Sequence, residues 1–237
     1  MNALAFTFCG TTLHALPSGA LHWAERGLLV VSDLHLGKAE RFARRGAPPL
    51  PPYETRDTLA RLEADLEATG ARAVICLGDS FDDTAAAHAL PEAEKLWIAR
   101  LMAGRDWTWI EGNHDPGPTE LGGAHRASLA LGPLTFRHIA EDGTAPGEVS
   151  GHYHPKARLR GTSRRCFLKD ETRLILPAYG TYTGGLRSDD RVLCGLMSAT
   201  AVAILTGPRP CVMPMPRGEA APQSRSRRRP AASTSGW

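Results

Sequence analysis

Several kinds of residue pattern are scarce in this sequence, and each scarcity removes a class of protein. No apolar run approaches the roughly 20 residues that a helix needs to cross a bilayer. The opening MNALAFTFCG lacks the basic start and longer apolar stretch of a secretory signal, so a cytoplasmic protein with no membrane partner is expected. The five cysteines (Cys9, Cys76, Cys166, Cys194, Cys211) are odd in number and show no CxxC spacing. Buried free thiols are therefore expected rather than a disulfide framework. The formal net charge of +3 is too small to demand an anionic partner.

What is present is the composition of a globular chain, with 42% hydrophobic and 22% charged residues. A length of 237 residues buries one good core. One domain over residues 1–213 is predicted, followed by a disordered basic tail over 214–237. That tail contains QSRSRRR, Gln223 to Arg229, with four arginines and no apolar periodicity, so it has nothing to bury in return for being ordered. A solubilising end is the plain reading of it, and a salt-sensitive phosphate contact the functional one.

Short strands are predicted over Leu4 to Cys9, Thr11 to His14 and Ala20 to Ala24, turned by Pro17, Ser18 and Gly19. They lead to a run buried on both faces, Leu28 to Val31, which ends in Asp33-Leu34-His35 before Gly37. Lys38 to Arg45 has helical composition, and the APPLPP run after it can only be an extended loop, since proline fixes its own backbone and restricts its predecessor. Leu59, Leu62 and Leu66 recur at helical spacing in a helix over Tyr53 to Thr69, stopped by Gly70. A buried strand, Ala73 to Leu77, ends in Gly78-Asp79. Strand, helix and strand make a parallel crossover, and such sheets gather ligands beyond the carboxyl ends of their strands, so Asp33 and Asp79 should converge. The rhythm repeats through a helix over Pro91 to Met102, with Leu96, Trp97 and Leu101 inward, and a strand over Trp107 to Ile110 ending in Gly112-Asn113-His114-Asp115. Beyond Leu131 only short strands recur, at Leu134 to Ile139, Glu148 to Ser150, Arg173 to Leu176 and Val202 to Leu205. A second, mostly antiparallel sheet is expected, giving an α/β sandwich of two mixed β-sheets flanked by helices.

The strand ends and loops offer Asp33, His35, Asp79, Asn113, His114, His138, His152 and His154. Asp33 and His35 lie two apart, as do His152 and His154, and on extended chain such pairs point the same way. A hard carboxylate oxygen beside a borderline imidazole nitrogen suits Mn, Fe or Zn. A GD turn, an NH turn or a core histidine is commonplace alone, but no plain explanation covers all of them together.

In order and spacing these residues resemble the calcineurin-like metallophosphoesterases, whose pattern is D-x-H, GD, GNH[DE], H and G-H-x-H. The resemblance implies two divalent ions, with Asp33, His35, Asp79 and His154 on the first, and Asp79 bridging to a second completed by Asn113, His138 and His152. It places His114 at the phosphate as a catalytic group rather than a ligand. Asp115 or Asp82 would orient His114 or a ligand imidazole. His125 and His88 compete with His138, which alone follows a strand in the right interval before GHYH.

Outside the motifs, SDLHLGKAERFARRG, the proline loop, LGDSFDD, GHYHPKARLRG and LPAYGTYTGG resemble the bacterial ligase-associated DNA damage response endonucleases of the PdeM family. That resemblance implies a Mn2+-dependent phosphodiesterase acting on DNA, single-stranded in the first instance, alongside a ligase, an exonuclease and a helicase of a repair cluster. A homodimer is a further expectation. Lys38, Arg41 and Arg45, with Arg44, follow the first metal strand; Lys156 and Arg158, with Arg160, alternate after GHYHP, and Arg164 and Arg165 come soon after. Both groups are candidates to track a polymeric anion, or else plain solvated faces. Aromatic residues make up only 6% of the chain, so no broad base-stacking platform and little sequence specificity are expected, with Tyr179 and Tyr182 as candidates for a substrate loop. A small-molecule phosphatase or nucleotide hydrolase is the alternative, which a cap domain would favour, although no insertion is long enough for one. A metal-free scaffold is opposed by the intact ligand set.

Overall fold

The computed structural model describes residues 2–48, 51, 53–117 and 120–217. An antiparallel meander comes first: β1 (Leu4–Phe8), β2 (Thr11–Ala15), β3 (Leu21–Trp23) and β4 (Leu28–Val31). Then come α1 (Lys38–Arg44), α2 (Glu54–Thr69), β5 (Ala73–Leu77), α3 (Thr84–Ala89), α4 (Glu92–Met102), β6 (Asp106–Ile110) and β7 (Ala124–Arg126). The seven strands form one sheet in sequence order, with β4 through β7 parallel. Helices cross over from β4 to β5 and from β5 to β6, as the alternation of strand and helix in the sequence requires, whereas β6 and β7 have no helix between them among the described residues.

The second half contributes β8 (Ser128–Leu131), β9 (Leu134–Arg137), β10 (Glu148–Ser150), β11 (Lys156–Leu159), β12 (Thr162–Lys169), β13 (Arg173–Ile175), α5 (Arg191–Leu196), β14 (Val202–Leu205) and β15 (Cys211–Pro214). Their order is β8-β9-β10-β13-β12-β14-β15, with β11 hairpinned onto β12. The sheet is mostly antiparallel, as expected, but β10 runs parallel to both β9 and β13.

The double-sided burial of the parallel strands sets the layers. Leu28, Val30, Ile75, Leu77 and Ile110 face the second sheet and pack with Phe136, Val149, Phe167, Leu174 and Ile204. Leu29, Val31, Val74, Cys76 and Trp107 face the other way, against Leu59, Leu62, Leu66, Ile98 and Leu101 of the helices. α5 covers the outside of the second sheet through Leu193. Each fully buried Leu, Ile or Phe contributes about 1.5–3 kcal/mol, so the parity of these strands holds the sandwich together.

Three expectations change. Leu96, read as inward, is 62% exposed, because α4 buries Glu94, Ile98 and Leu101 instead. β9 stops at Arg137, leaving Ile139 exposed while His138 turns inward. The tail does not start at Pro214: that residue ends β15, Met215 is buried, and Arg217 donates to the Met197 carbonyl at 2.9 Å. Residues 218–237 lie outside the described residues, as do 49, 50 and 52 of the proline loop. All five cysteines are free, Cys76 and Cys166 fully buried. Among the described residues no helix is long and apolar enough to cross a membrane.

Candidate metal centre

The carboxyl ends of β4, β5, β6, β9 and β10 meet at one end of the sandwich. Two of the loops there are stitched edge to edge: Asp33 N donates to Gly78 O at 3.2 Å, His35 N to Asp79 O at 2.9 Å and Asp82 N to Leu36 O at 3.0 Å. Seven described non-glycine residues have positive φ. Cys9 and Arg160 sit in tight hairpin turns, and the other five are Asp33, His35, Asp79, His152 and His154. Left-handed backbone costs an L-residue about 1–2 kcal/mol, and such strain collects at functional sites. The expected convergence of Asp33 with His35, and of His152 with His154, is therefore found, but the chain there is not extended; alternating left-handed turns aim both members of each pair.

Asp33, His35 and His154 bring ligand atoms within 4.8 Å of one another, and Asp79, His138 and His152 do the same. In the first group His154 Nε2 lies 3.1 Å from Asp33 Oδ1 and 3.4 Å from His35 Nε2. In the second, His138 Nε2 is 3.3 Å from Asp79 Oδ2, 3.0 Å from Asn113 Oδ1 and 3.3 Å from His152 Nδ1. Asp79 Oδ2 also lies 4.0 Å from His35 Nε2 and from His114 Nε2. One carboxylate thus stands between two sets of donors.

The tautomers suit a cation. Carbonyl oxygens only accept, so His138 Nδ1 donates to Leu77 O at 3.0 Å and leaves Nε2 bare. His35 Nδ1 is likewise taken by Asp82 Oδ1 at 3.1 Å, which turns its Nε2 lone pair toward His154 and Asp79. Bare imidazole nitrogens converging on buried carboxylates are what a divalent ion reconciles. Burial works against charge on Asp33 and Asp79, yet the imidazoles around them hold both carboxyls below the usual range: His154 above all for Asp33, His138 for Asp79. Burial lowers His138, but the hydrogen bond from Nε2 to Asp79 and the charges of Asp33 and Asp79 outweigh it and raise the ring to about 9, so Nε2 carries a proton toward Asp79 in the charged ring and stands bare for a cation only in the neutral one.

The remaining candidates fall in different places. His114 is half-exposed beside Asp79; its Nδ1 donates to the Asp82 carbonyl at 2.8 Å and its backbone N–H to Asp79 Oδ1 at 2.9 Å. Asp82 does orient a clustered imidazole, His35. Asp115 does not, which corrects the expectation for that residue: its carboxylate accepts backbone N–H groups of Ser80 (2.7 Å), Phe81 (3.1 Å) and Gly112 (3.1 Å), and so shapes two loops. Burial first, and the charge of Asp79 after it, push Asp115 up to about 6. His138 stands in the cluster and its rivals do not: His88 is exposed on α3, and His125 stacks on Trp109 in β7.

Several expected substrate cations turn inward. Arg41 NH1 is 2.7 Å from Asp82 Oδ2, with Lys38 Nζ 3.9 Å from the other oxygen. Lys156 donates to Thr183 O at 3.4 Å. Arg45 and Arg158 are exposed. Tyr179 is fully buried with its hydroxyl on Asp65 at 2.8 Å, so it is no substrate contact. Arg165, expected with the cations beyond GHYHP at the mouth of the site, instead holds the carbonyls of Gly180 (2.6 Å) and Thr181 (3.1 Å) in the loop that packs on Asp33. Sequence reasoning missed Ser32, which donates to Asp33 Oδ2. That contact is visible only once the loops are folded.

The model of the calcineurin-like phosphoesterases matches residues 27–182, a span that includes every clustered residue. The crystal structure of Pseudomonas putida nuclease MPE aligns with a TM-score of 0.70 at 30% identity, covering 89% of this chain and all of that one. A conserved uncharacterized protein of Streptococcus pneumoniae TIGR4, described as a predicted phosphoesterase, gives 0.33 at 14% identity over 78% of this chain and 95% of that one. That likeness is too slight to bear on fold or function. No curated protein matches. With the family's motifs gathered on its fold, and with a nuclease of that fold 30% identical over its whole length, the chain belongs to the calcineurin-like metallophosphoesterases, hydrolases of phosphoester bonds.

Proposed function

We propose that the protein is a metal-dependent DNA phosphodiesterase, an endonuclease of DNA repair, working with two divalent ions. The observation that carries this reading is Asp79, set between Asp33, His35 and His154 on one side and Asn113, His138 and His152 on the other, in a chain similar to a nuclease. The first three residues with Asp79 would hold one ion, and Asp79 with the last three the other. Mn2+ is the metal that the family resemblance implies. Such a pair supplies Lewis-acid polarisation of the phosphoryl group and clamps the attacking and leaving oxygens of an in-line displacement.

The protein's own residues do the rest. His114 is held through Nδ1 by the Asp82 carbonyl, so Nε2 is its free atom; protonated, it donates to a phosphoryl oxygen and then to the leaving oxygen. Asn113 and His114 lie at the exposed side of the centre, where a strand can approach. Arg45, beside Phe42 in a cavity on α1, and Arg158 on β11 supply cations for backbone phosphates, Lys38 being drawn toward Asp82. Among the described residues no element caps the centre, which leaves it open to a polymeric strand, and single-stranded DNA of any sequence is the substrate of this reading. Partnership with a ligase, an exonuclease and a helicase, a homodimeric assembly and a cytoplasmic setting belong to the same reading.

The test compares single-stranded DNA, duplex DNA and mononucleotides with protein stripped of metal and reloaded with Mn2+. Cleavage of single strands is expected, and His114→Ala should lose about 10²–10⁴ of the rate while elemental analysis still counts two ions. Turnover confined to mononucleotides would move the assignment to a small-molecule phosphatase.

A further inference from the structure

The cations of α1 invite one reading from sequence, contact with DNA, and the structure divides them. Arg45 is exposed and makes no ion pair among the described residues. Arg41 turns inward: its NH1 donates to Asp82 Oδ2 at 2.7 Å, and its side chain is only 20% exposed. Asp82 itself is 1% exposed. Its Oδ1 takes the proton of His35 Nδ1 at 3.1 Å and its backbone carbonyl takes that of His114 Nδ1 at 2.8 Å. This one residue therefore orients an imidazole facing Asp79 and the imidazole placed at the phosphate.

We propose that Arg41 is a positioning residue of the metal centre, clamping Asp82 so that His35 and His114 present Nε2 to it, rather than a contact for DNA. The inference rests on the metal-centre reading above. Asp82 Oδ2 has Arg41 as its hydrogen-bond donor, so losing the guanidinium leaves one oxygen of a buried carboxylate without a donor. An unpaired buried acceptor of this kind reorganises until it finds a donor. The donors within reach are Lys38 Nζ, 3.9 Å from Oδ1, and the His35 ring itself. Either rotation lets the ring of His35 turn. Outer hydrogen bonds to a ligand histidine fix its orientation and its basicity, and their loss lowers metal affinity about 10- to 100-fold. Arg44, one turn along, pairs with Asp83 at 2.8 Å, a carboxylate that Arg41 approaches only through Nε at 3.6 Å, and makes no ion pair with Asp82 among the described residues. It supplies a matched loss of one cation from the same helix.

The experiment is a Mn2+ titration of metal-free full-length protein without substrate, followed by electron paramagnetic resonance. It uses wild type, Arg41→Gln, Arg41→Lys and Arg44→Gln, each first confirmed folded by circular dichroism and thermal melting. Arg41→Gln should need about 10- to 100-fold more Mn2+ to half-fill the site, Arg41→Lys should recover only part of that loss and stay weaker than wild type because a single ammonium does not reproduce the guanidinium's geometry, and Arg44→Gln should titrate as wild type. At saturating Mn2+, Arg41→Gln should keep its KM for DNA and lose kcat through the loosened His114. Mn2+ uptake unchanged in Arg41→Gln, with a raised KM for DNA, would overturn the proposal and return Arg41 to the substrate. Equal loss in Arg44→Gln would overturn it too, since net charge alone would then explain the effect. Should Arg41→Gln fail to fold, Arg41→Lys carries the comparison: wild-type uptake with a raised KM sinks the idea, weakened uptake with an unchanged KM sustains it. Failure of the wild type itself to take up Mn2+ would instead bring down the metal-centre reading.

Discussion

Five side chains of the centre hang from left-handed backbone, and glycines beside them leave the room this needs. A Cβ on Gly78 would lie 2.3 Å from His138 Nδ1, the atom that donates to Leu77 O, and Gly78 itself has φ +77°. Gly151 is as closely pressed, its Cβ direction meeting Ser32 Oγ at 1.8 Å and Asp33 Oδ2 at 2.6 Å. The glycines of GD and GHYH are thus steric conditions for the placing of the neighbouring imidazole and carboxylate. Gly78→Ala should destabilise the fold by about 2–5 kcal/mol, the sum of left-handed strain and overpacking. It should also displace His138, so that elemental analysis after Mn2+ loading finds one ion in place of two. Two ions bound in a stable Gly78→Ala protein would show that His138 does not depend on this contact. These residues were legible as motif letters. Their left-handed backbone was not, because φ at an Asp or His is chosen by the loop pairing across from it.

At the scale of elements, the centre is braced from behind by α2. Tyr179 N donates to Ser32 O at 2.7 Å and Gly180 N to Asp33 O at 3.1 Å, while the Tyr179 hydroxyl reaches back to Asp65 of α2 at 2.8 Å. Burial pushes Asp65 up, against the hydrogen bonds of Ser18 and Tyr179 that lower it. A carboxyl whose folded pKa is raised contributes stability when protonated, below its unfolded pKa, and loses that contribution as pH rises through the folded value. Once pH has risen past that folded value, Asp65 is a buried charge that leans on the hydrogen bonds of Ser18 and Tyr179. Tyr179→Phe should cost about 1–3 kcal/mol at pH 8 and less at pH 4, while Asp65→Asn, which keeps an acceptor without the charge, should cost less than Tyr179→Phe at pH 8. Urea denaturation at the two pH values checks this; an equal Tyr179→Phe penalty at both would remove the charge from the account. Helices such as α2 were plain in the leucine spacing. The β11–β12 hairpin was not, since its arginines, Arg158, Arg164 and Arg165, read as a solvent-facing basic rim, whereas the fold turns Arg164 and Arg165 onto backbone carbonyls.

For the whole molecule, the distribution of cations decides how substrate is met. Of the basic residues near the centre, Arg41, Lys156 and Arg165 are held by the protein itself, and Arg45 and Arg158 face solvent. Binding of single-stranded DNA should weaken with salt, and Arg45→Ala or Arg158→Ala should each reduce the slope of log affinity against log salt by about 0.7, with activity on a small phosphodiester unchanged. A slope unaltered in both variants would place the strand on another surface. The fold class, the helices α2 and α4 and the order of eight polar residues in their motifs were determined by the sequence alone, because apolar periodicity and motif order are local properties of a chain. Only the tertiary structure decided that Asp82 serves two histidines, that Asp115 holds backbone rather than imidazole, and that Arg41 faces inward while Arg45 does not. Those outcomes depend on which donors come within about 3 Å of a buried acceptor, a distance set between segments far apart in the sequence.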